Sequence, residues 1–86
     1  EYYKIDLDLE DLAVKQRIQN FLRQHPNVVY EDRTVGGSNI EFDVEVPTYE
    51  DFFRIMQELK EAFPNALRGY TFYKTRKSLK TMYVPF

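Results

Sequence analysis

Cysteine and tryptophan are absent from this 86-residue chain, and histidine occurs once, at His25. Without cysteine there is no disulfide framework, no zinc–thiolate or iron–sulfur centre and no thiol nucleophile. One histidine excludes a multi-histidine metal site within a single chain. No apolar run approaches the roughly 18 residues of a membrane span, and no basic-then-apolar leader opens the sequence, so the expected location is cytoplasmic. Glycine is scarce: of three residues, two are adjacent, Gly36 and Gly37. Rings are plentiful. Seven Phe and seven Tyr within a 43% hydrophobic composition supply one core, which suits a single domain spanning residues 1–86.

Acidic residues are missing from the C-terminal part. The first 61 residues hold fourteen acidic and seven basic side chains, while the last 25 hold five basic ones, Arg68, Lys74, Arg76, Lys77 and Lys80. Such asymmetry marks either a tail that touches nucleic acid or a basic segment lying on an acidic surface of the same chain or a partner. The cluster is modest and has no Arg-rich run, which favours the second reading.

Hydrophobic spacing gives the order of elements. Tyr3, Ile5, Leu7 and Leu9 alternate with Tyr2, Lys4, Asp6 and Asp8, the period of a half-buried strand over 2–9. Glu10 and Asp11 supply carboxylates for a helix start, and Val14, Ile18, Phe21, Leu22 and His25 recur at helical spacing. Pro26 stops that helix near His25. Val28 to Val35 reads as a second strand, Gly36-Gly37-Ser38 as a turn, and 39–46 as the clearest strand, with Ile40, Phe42, Val44 and Val46 on one side. Thr48 and Asp51 form a capping pair for a second helix carrying Phe52, Ile55, Met56, Leu59 and Phe63, closed by Pro64-Asn65. Residues 70–75 form a fourth strand, and 79–84 a short fifth strand or an extended tail.

The order β-α-β-β-α-β predicts an α+β, ferredoxin-like sandwich: an antiparallel sheet with two helices on one face and an optional extra C-terminal strand. Right-handed crossovers put strands 2–9 and 39–46 in the centre. The bare face should then carry Lys4, Asp6, Asp8, Glu41, Asp43 and Glu45. Carboxylates repel phosphate, and this set offers no ring for stacking, so RNA binding by this face is disfavoured. The outer aromatics, Tyr2, Tyr30 or Tyr49, Tyr70, Tyr73, Tyr83 and Phe86, exceed what two helices cover. They favour a homodimer.

Candidate chemistry is thin. His25, at a helix end before proline, suits a structural or capping role better than acid–base catalysis. Asp6, Asp8, Glu41, Asp43 and Glu45 point to one side as a hard cation would want, but any half-exposed strand does the same. With no paired acid and base, the chain is not expected to be an enzyme, and no cofactor is implied. Gly36-Gly37-Ser38-Asn39 is the most informative segment, because adjacent glycines let a ligand approach backbone N–H groups. From spacing alone, a plain hairpin turn accounts for it as well.

The sequence resembles the C-terminal effector-sensing (RAM) domain of the Lrp/AsnC, or feast/famine, transcriptional regulators, of archaeal type. The resemblance rests on Tyr2-Tyr3-Lys4-Ile5, His25-Pro26-Asn27-Val28-Val29-Tyr30, Thr34 through Phe42, and Phe63-Pro64. The run from His25 to Phe42 is the specific part. The resemblance implies dimerisation through the sheet, often extended to tetramers or octamers. It implies an amino-acid-like effector bound near Gly36, Gly37, Ser38 and Asn39, with Thr34 and Tyr70 as weaker candidates for the pocket wall. DNA is bound in that family by a separate N-terminal helix-turn-helix, which these residues do not contain. One departure is Asn39, where the family usually has Asp: the amide keeps hydrogen-bonding capacity without the charge. The alternative is a stand-alone assembly module with no ligand.

Overall fold

The computed structural model describes residues 1–30, 39–74 and 82–86. Five strands form one antiparallel sheet: β1 (Tyr2–Leu9), β2 (Val28–Val29), β3 (Asn39–Glu45), β4 (Leu67–Lys74) and β5 (Met82–Pro85), in the order β2-β3-β1-β4-β5. Helices α1 (Lys15–Gln24) and α2 (Tyr49–Ala62) complete a ferredoxin-like sandwich with an extra strand. The central pair is β1 and β3, as the alternation predicts, with Ile5 opposite Phe42 and Leu7 opposite Ile40.

Side-chain period 2 sorts every strand. Tyr3, Ile5, Leu7 and Leu9 of β1 and Ile40, Phe42 and Val44 of β3 are buried, with Val46 just beyond. Ile18 and Leu22 of α1 and Phe52, Ile55, Met56 and Leu59 of α2 close over them. Rings dominate one end of this core: Tyr3 stacks on Phe52 with centroids 4.5 Å apart, and Phe72 lies 5.0 Å from Phe52.

The helix starts differ in detail from the expectation. Asp11 accepts from the Ala13 N–H at 2.9 Å, but it caps a short 3-10 turn over Leu12–Val14, and α1 begins only at Lys15. Glu10 lies outside the helix and pairs with Arg68 at 2.7 Å. At α2, Thr48 Oγ1 accepts from the Asp51 N–H at 3.2 Å, and its hydroxyl donates to Asp51 Oδ2 at 2.8 Å. Asp is one methylene shorter than the usual Glu, and its carboxylate meets the cap hydroxyl. The helix ends at Ala62, and Asn65 takes a left-handed φ of 66° in a turn closed by Ala66 N–H to Phe63 C=O, a conformation asparagine tolerates.

Strand β4 starts at Leu67, three residues before the expected position. Arg68 is an extra residue there, since Asp8 faces Gly69 while Leu9 faces Leu67. This bulge keeps Leu9 and Leu67 in the core. β2 covers only Val28–Val29; Tyr30, the next residue of the expected strand, lies outside it, and 31–35 lie outside the described residues. Of the two expected forms of 79–84, β5 at Met82–Pro85 is the fifth strand, and 79–81 lie outside the described residues. The Phe86 N–H to Arg68 C=O bond of 3.1 Å makes theirs the hydrogen-bonded pair, so Pro85 turns its nitrogen to the outer edge, where no donor is needed.

Tyr83 of β5 lies across Gly69. A Cβ at Gly69 would stand 2.7 Å from the Val84 carbonyl oxygen and 2.6 Å from the Tyr83 ring carbon that bears its hydroxyl. A backbone atom cannot give way as a flexible side chain can. Gly69→Ala is therefore expected to destabilise by about 1–3 kcal/mol, read as a lower urea midpoint. An unchanged midpoint would show that β5 is not held as described.

Candidate assembly surface and ligand loop

The face of the sheet away from the helices is built in rows. Register places Val29, Asp43, Lys4 and Tyr73 in one cross-strand row, and Glu41, Asp6, Thr71 and Tyr83 in the next. Lys4 Nζ reaches Asp43 Oδ2 at 3.6 Å, and the Tyr2 hydroxyl donates to the same oxygen at 2.5 Å. Arg68, pushed out by the bulge, binds Glu10 at 2.7 Å and approaches Asp8 at 3.7 Å. Lys74 lies 3.7 Å from Glu1. Both described members of the basic C-terminal group thus engage carboxylates of the same chain; Arg76, Lys77 and Lys80 lie outside the described residues.

A trough of about 330 Å³ runs across this face, floored by Ile5 and Phe42 and walled by Tyr2, Lys4, Asp43 and Tyr73. Val29, Tyr73 and Tyr83 are exposed by 47, 38 and 52%. The face is therefore an acidic strip flanked by rings. This corrects the expectation that no ring lies there: Tyr2 sits on β1 itself, and Tyr73 stands beside Lys4. Among the described residues no three His, Asp or Glu side chains come together at metal-binding spacing.

Of the sequence-predicted ligand residues, Thr34, Gly36, Gly37 and Ser38 lie outside the described residues. Asn39 opens β3 opposite Asp8, and its Nδ2 donates to Asp6 Oδ1 at 2.7 Å. Tyr70 faces the other way. It is opposite Leu7, 3% exposed, and packed against Phe52, Phe72 and Phe86. The structure thus separates Asn39 and Tyr70 onto opposite sides of the sheet, and Tyr70 belongs to the core rather than to the outward rings. His25 is a turn-forming residue: its Nδ1 accepts from the Asn27 N–H at 3.2 Å.

The sequence counts Tyr2, Tyr73 and Tyr83 among the outer aromatics but neither joins them into rows nor includes Val29. The signal that finds them is register: once Lys4 faces Asp43 on one side, Tyr73 must flank it on the other.

Comparison with known proteins finds no matching family model, no similar curated protein and no similar solved structure. No helix among the described residues is long and apolar enough to cross a membrane.

Two tyrosines carry the clearest titration effects. Burial pushes the Tyr70 phenol up to about 12, with the nearby Tyr49 adding to it. Burial, with the hydrogen bond to Glu1, raises Tyr3 as well. A phenol raised in the folded state ionises first in the unfolded chain. Stability from Tyr70 is therefore complete below the ordinary tyrosine value near pH 10 and declines as pH rises toward 12. Tyr70→Phe is expected to lessen the loss of stability across that window by about 1–2 kcal/mol, measured by urea unfolding at a series of alkaline pH values. An alkaline transition identical in the two proteins would refute the assignment.

Asn39→Asp would set a carboxylate against Asp6, replacing a hydrogen bond by repulsion. A loss of about 0.5–1.5 kcal/mol is expected, partly recovered in salt and reversed by adding Asp6→Asn. Thermal unfolding of the single and double variants checks it, and an unaffected single variant would mean that the Asn39–Asp6 bond is not formed in solution.

Proposed function

We propose that this chain is an effector-sensing and assembly domain of a transcriptional regulator, non-enzymatic, acting as a homo-oligomer and reaching DNA only through a separate domain. The observation that carries the reading is a face of the sheet that no described helix covers. It exposes Val29 and Tyr73 at a trough, with Tyr83 in the next row, while the β5 edge is unsuited to strand addition because Pro85 turns outward. A sheet with an apolar-flanked face of this kind assembles face to face. A two-fold axis is the commonest way to bury such a patch.

The sensing part rests on the resemblance of the segment from His25 to Phe42. An amino-acid-like effector would take backbone donors from Gly36, Gly37 and Ser38, with Asn39 and Thr34 as side-chain contacts. Asn39 is tied to Asp6 in the middle of β1, so a ligand that draws on Asn39 acts directly on the face proposed to assemble.

Sedimentation equilibrium should show a dimer or a multiple of it, with Tyr73→Glu shifting the population toward monomer by at least about tenfold in Kd, the equivalent of 1.4 kcal/mol. Calorimetry against the twenty amino acids should give saturable heat for at least one. A dimer with no heat from any of them leaves the assembly module alone. A monomer at all concentrations overturns the assembly reading.

A further inference from the structure

His25 is the chain's one imidazole, and both of its ring nitrogens are committed. Nδ1 accepts from the Asn27 N–H at 3.2 Å, and Nε2 lies 3.1 Å from Glu58 Oε2 of α2. A backbone N–H can only donate, so Nδ1 presents its lone pair; a carboxylate can only accept, so Nε2 bears the proton. These partners define one tautomer of the ring, held beside Phe21 with 13% of its side chain exposed.

The turn that this ring caps sets the edge of the sheet. The His25 C=O accepts from the Val28 N–H at 3.2 Å, closing the turn over Pro26-Asn27. Asn27 then fixes register with β3: its C=O accepts from the Glu45 N–H at 2.9 Å, and its Nδ2 donates to the Glu45 carbonyl at 3.1 Å. Strand β2 follows at once and is only two residues long; this turn seats it, together with its pairing to β3 and the packing of Val28 on the core.

We infer that His25 is a proton-operated latch on edge strand β2. A second proton on the ring must go to Nδ1, where it meets the Asn27 N–H head on. The acceptor is lost and two donors face each other. The ring either rotates away or the turn opens, and β2 loses one of the contacts that seat it. The charged group facing the ring is Glu58, whose half-exposed carboxylate gains an ion pair when the ring is charged. With Glu58 half-exposed such a pair adds little, and it does not make good the lost turn bond. Of the cations on α1 itself, Arg17 lies over Phe63, and Arg23 lies over Tyr30 and donates to Asn20. Glu45 of β3 meets the turn through its backbone. The effect is local: the turn and the edge strand respond, while the core stays intact. This inference stands independently of the assembly and sensing functions proposed above.

The test is NMR of the whole chain from about pH 8 to about pH 5, the span in which an imidazole changes charge. At the upper end, ring nitrogen shifts should report the proton on Nε2. As pH falls, the hydrogen-exchange protection factor of the Asn27 amide should drop about fivefold, the value of one ordinary hydrogen bond. The amides of Ile5 and Leu7 should stay protected. His25→Asn supplies a carbonyl oxygen in place of Nδ1 that does not titrate; it should keep the Asn27 amide protected at both ends of the range. The latch is overturned if the ring carries its proton on Nδ1 at high pH, or if Asn27 protection falls equally in His25→Asn.

Discussion

Strand β1 is hydrogen-bonded along both sides, to β3 and to β4, and its two faces have opposite chemistry: Tyr3, Ile5, Leu7 and Leu9 face the helices, while Tyr2, Lys4, Asp6 and Asp8 face away. A one-residue slip would exchange these two sets at once. It would drive Lys4, Asp6 and Asp8 into a core that contains no charged or polar residue among the described ones, where an unpaired charge costs several kcal/mol. That single constraint fixes the neighbours. With β1 in register, Phe42 must meet Ile5, Tyr70 must meet Leu7, and Arg68 must bulge so that Leu67 can follow Leu9 into the core. The position of Arg68 beside Glu10 and Asp8 is thus a consequence of hydrophobic register, not an independent design for an ion pair.

The fifth strand changes what the fold can do. β5 pairs with β4 and widens the sheet beyond the usual four strands, while the number of helices stays at two. On the far side this adds Tyr83 next to Tyr73 and extends an already uncovered surface. The same strand closes its own outer edge with Pro85, because a proline nitrogen facing outward has no proton to offer a further strand. Growth by adding strands is disfavoured at that end, and the face offers area to bury. Its acidic rows oppose close approach of two copies, whereas its rings favour it.

How far the sequence revealed this depended on whether alternation was complete. Residues 2–9 and 39–46 alternate without a break, and both were legible as the central strands. β4 was legible only from Tyr70 onward, because a bulge at Arg68 and a glycine at 69 erase period 2 where the strand begins. Tyr70 and Tyr73 are three apart and so point to opposite sides; composition alone counted both as outward. Tyr2, Tyr73 and Tyr83 were counted as outward, but their arrangement in rows was hidden for a related reason: which side Tyr73 takes is decided by its pairing with Lys4, a long-range fact that no local window contains. His25 was legible as a capping residue from its place before Pro26, but its link to Glu58, 33 residues on, was not. The glycine loop that carries the resemblance lies outside the described residues, so the fold neither adds to nor subtracts from the ligand assignment there.

The described residues on either side of 31–38 are held partly by side-chain hydrogen bonds, beside the packing of Val28 and Tyr30 on the core. On one side the His25 ring and the Asn27 amide hold the turn into β2; on the other the Asn39 amide binds Asp6. Each such bond contributes about 1 kcal/mol, far less than burial of a residue such as Phe52 or Leu7. Elements that respond to protons or ligands come from the low-stability end of a structure, because a signal of a few kcal/mol can open them while the rest stays folded. The ferredoxin-like core is therefore the stable frame, and these hydrogen bonds at its edge are the part that a weak signal can reach. One of them ends on Asp6, in the middle of the strand that orders everything else. Any event that loosens it is transmitted to the open face without passing through the core.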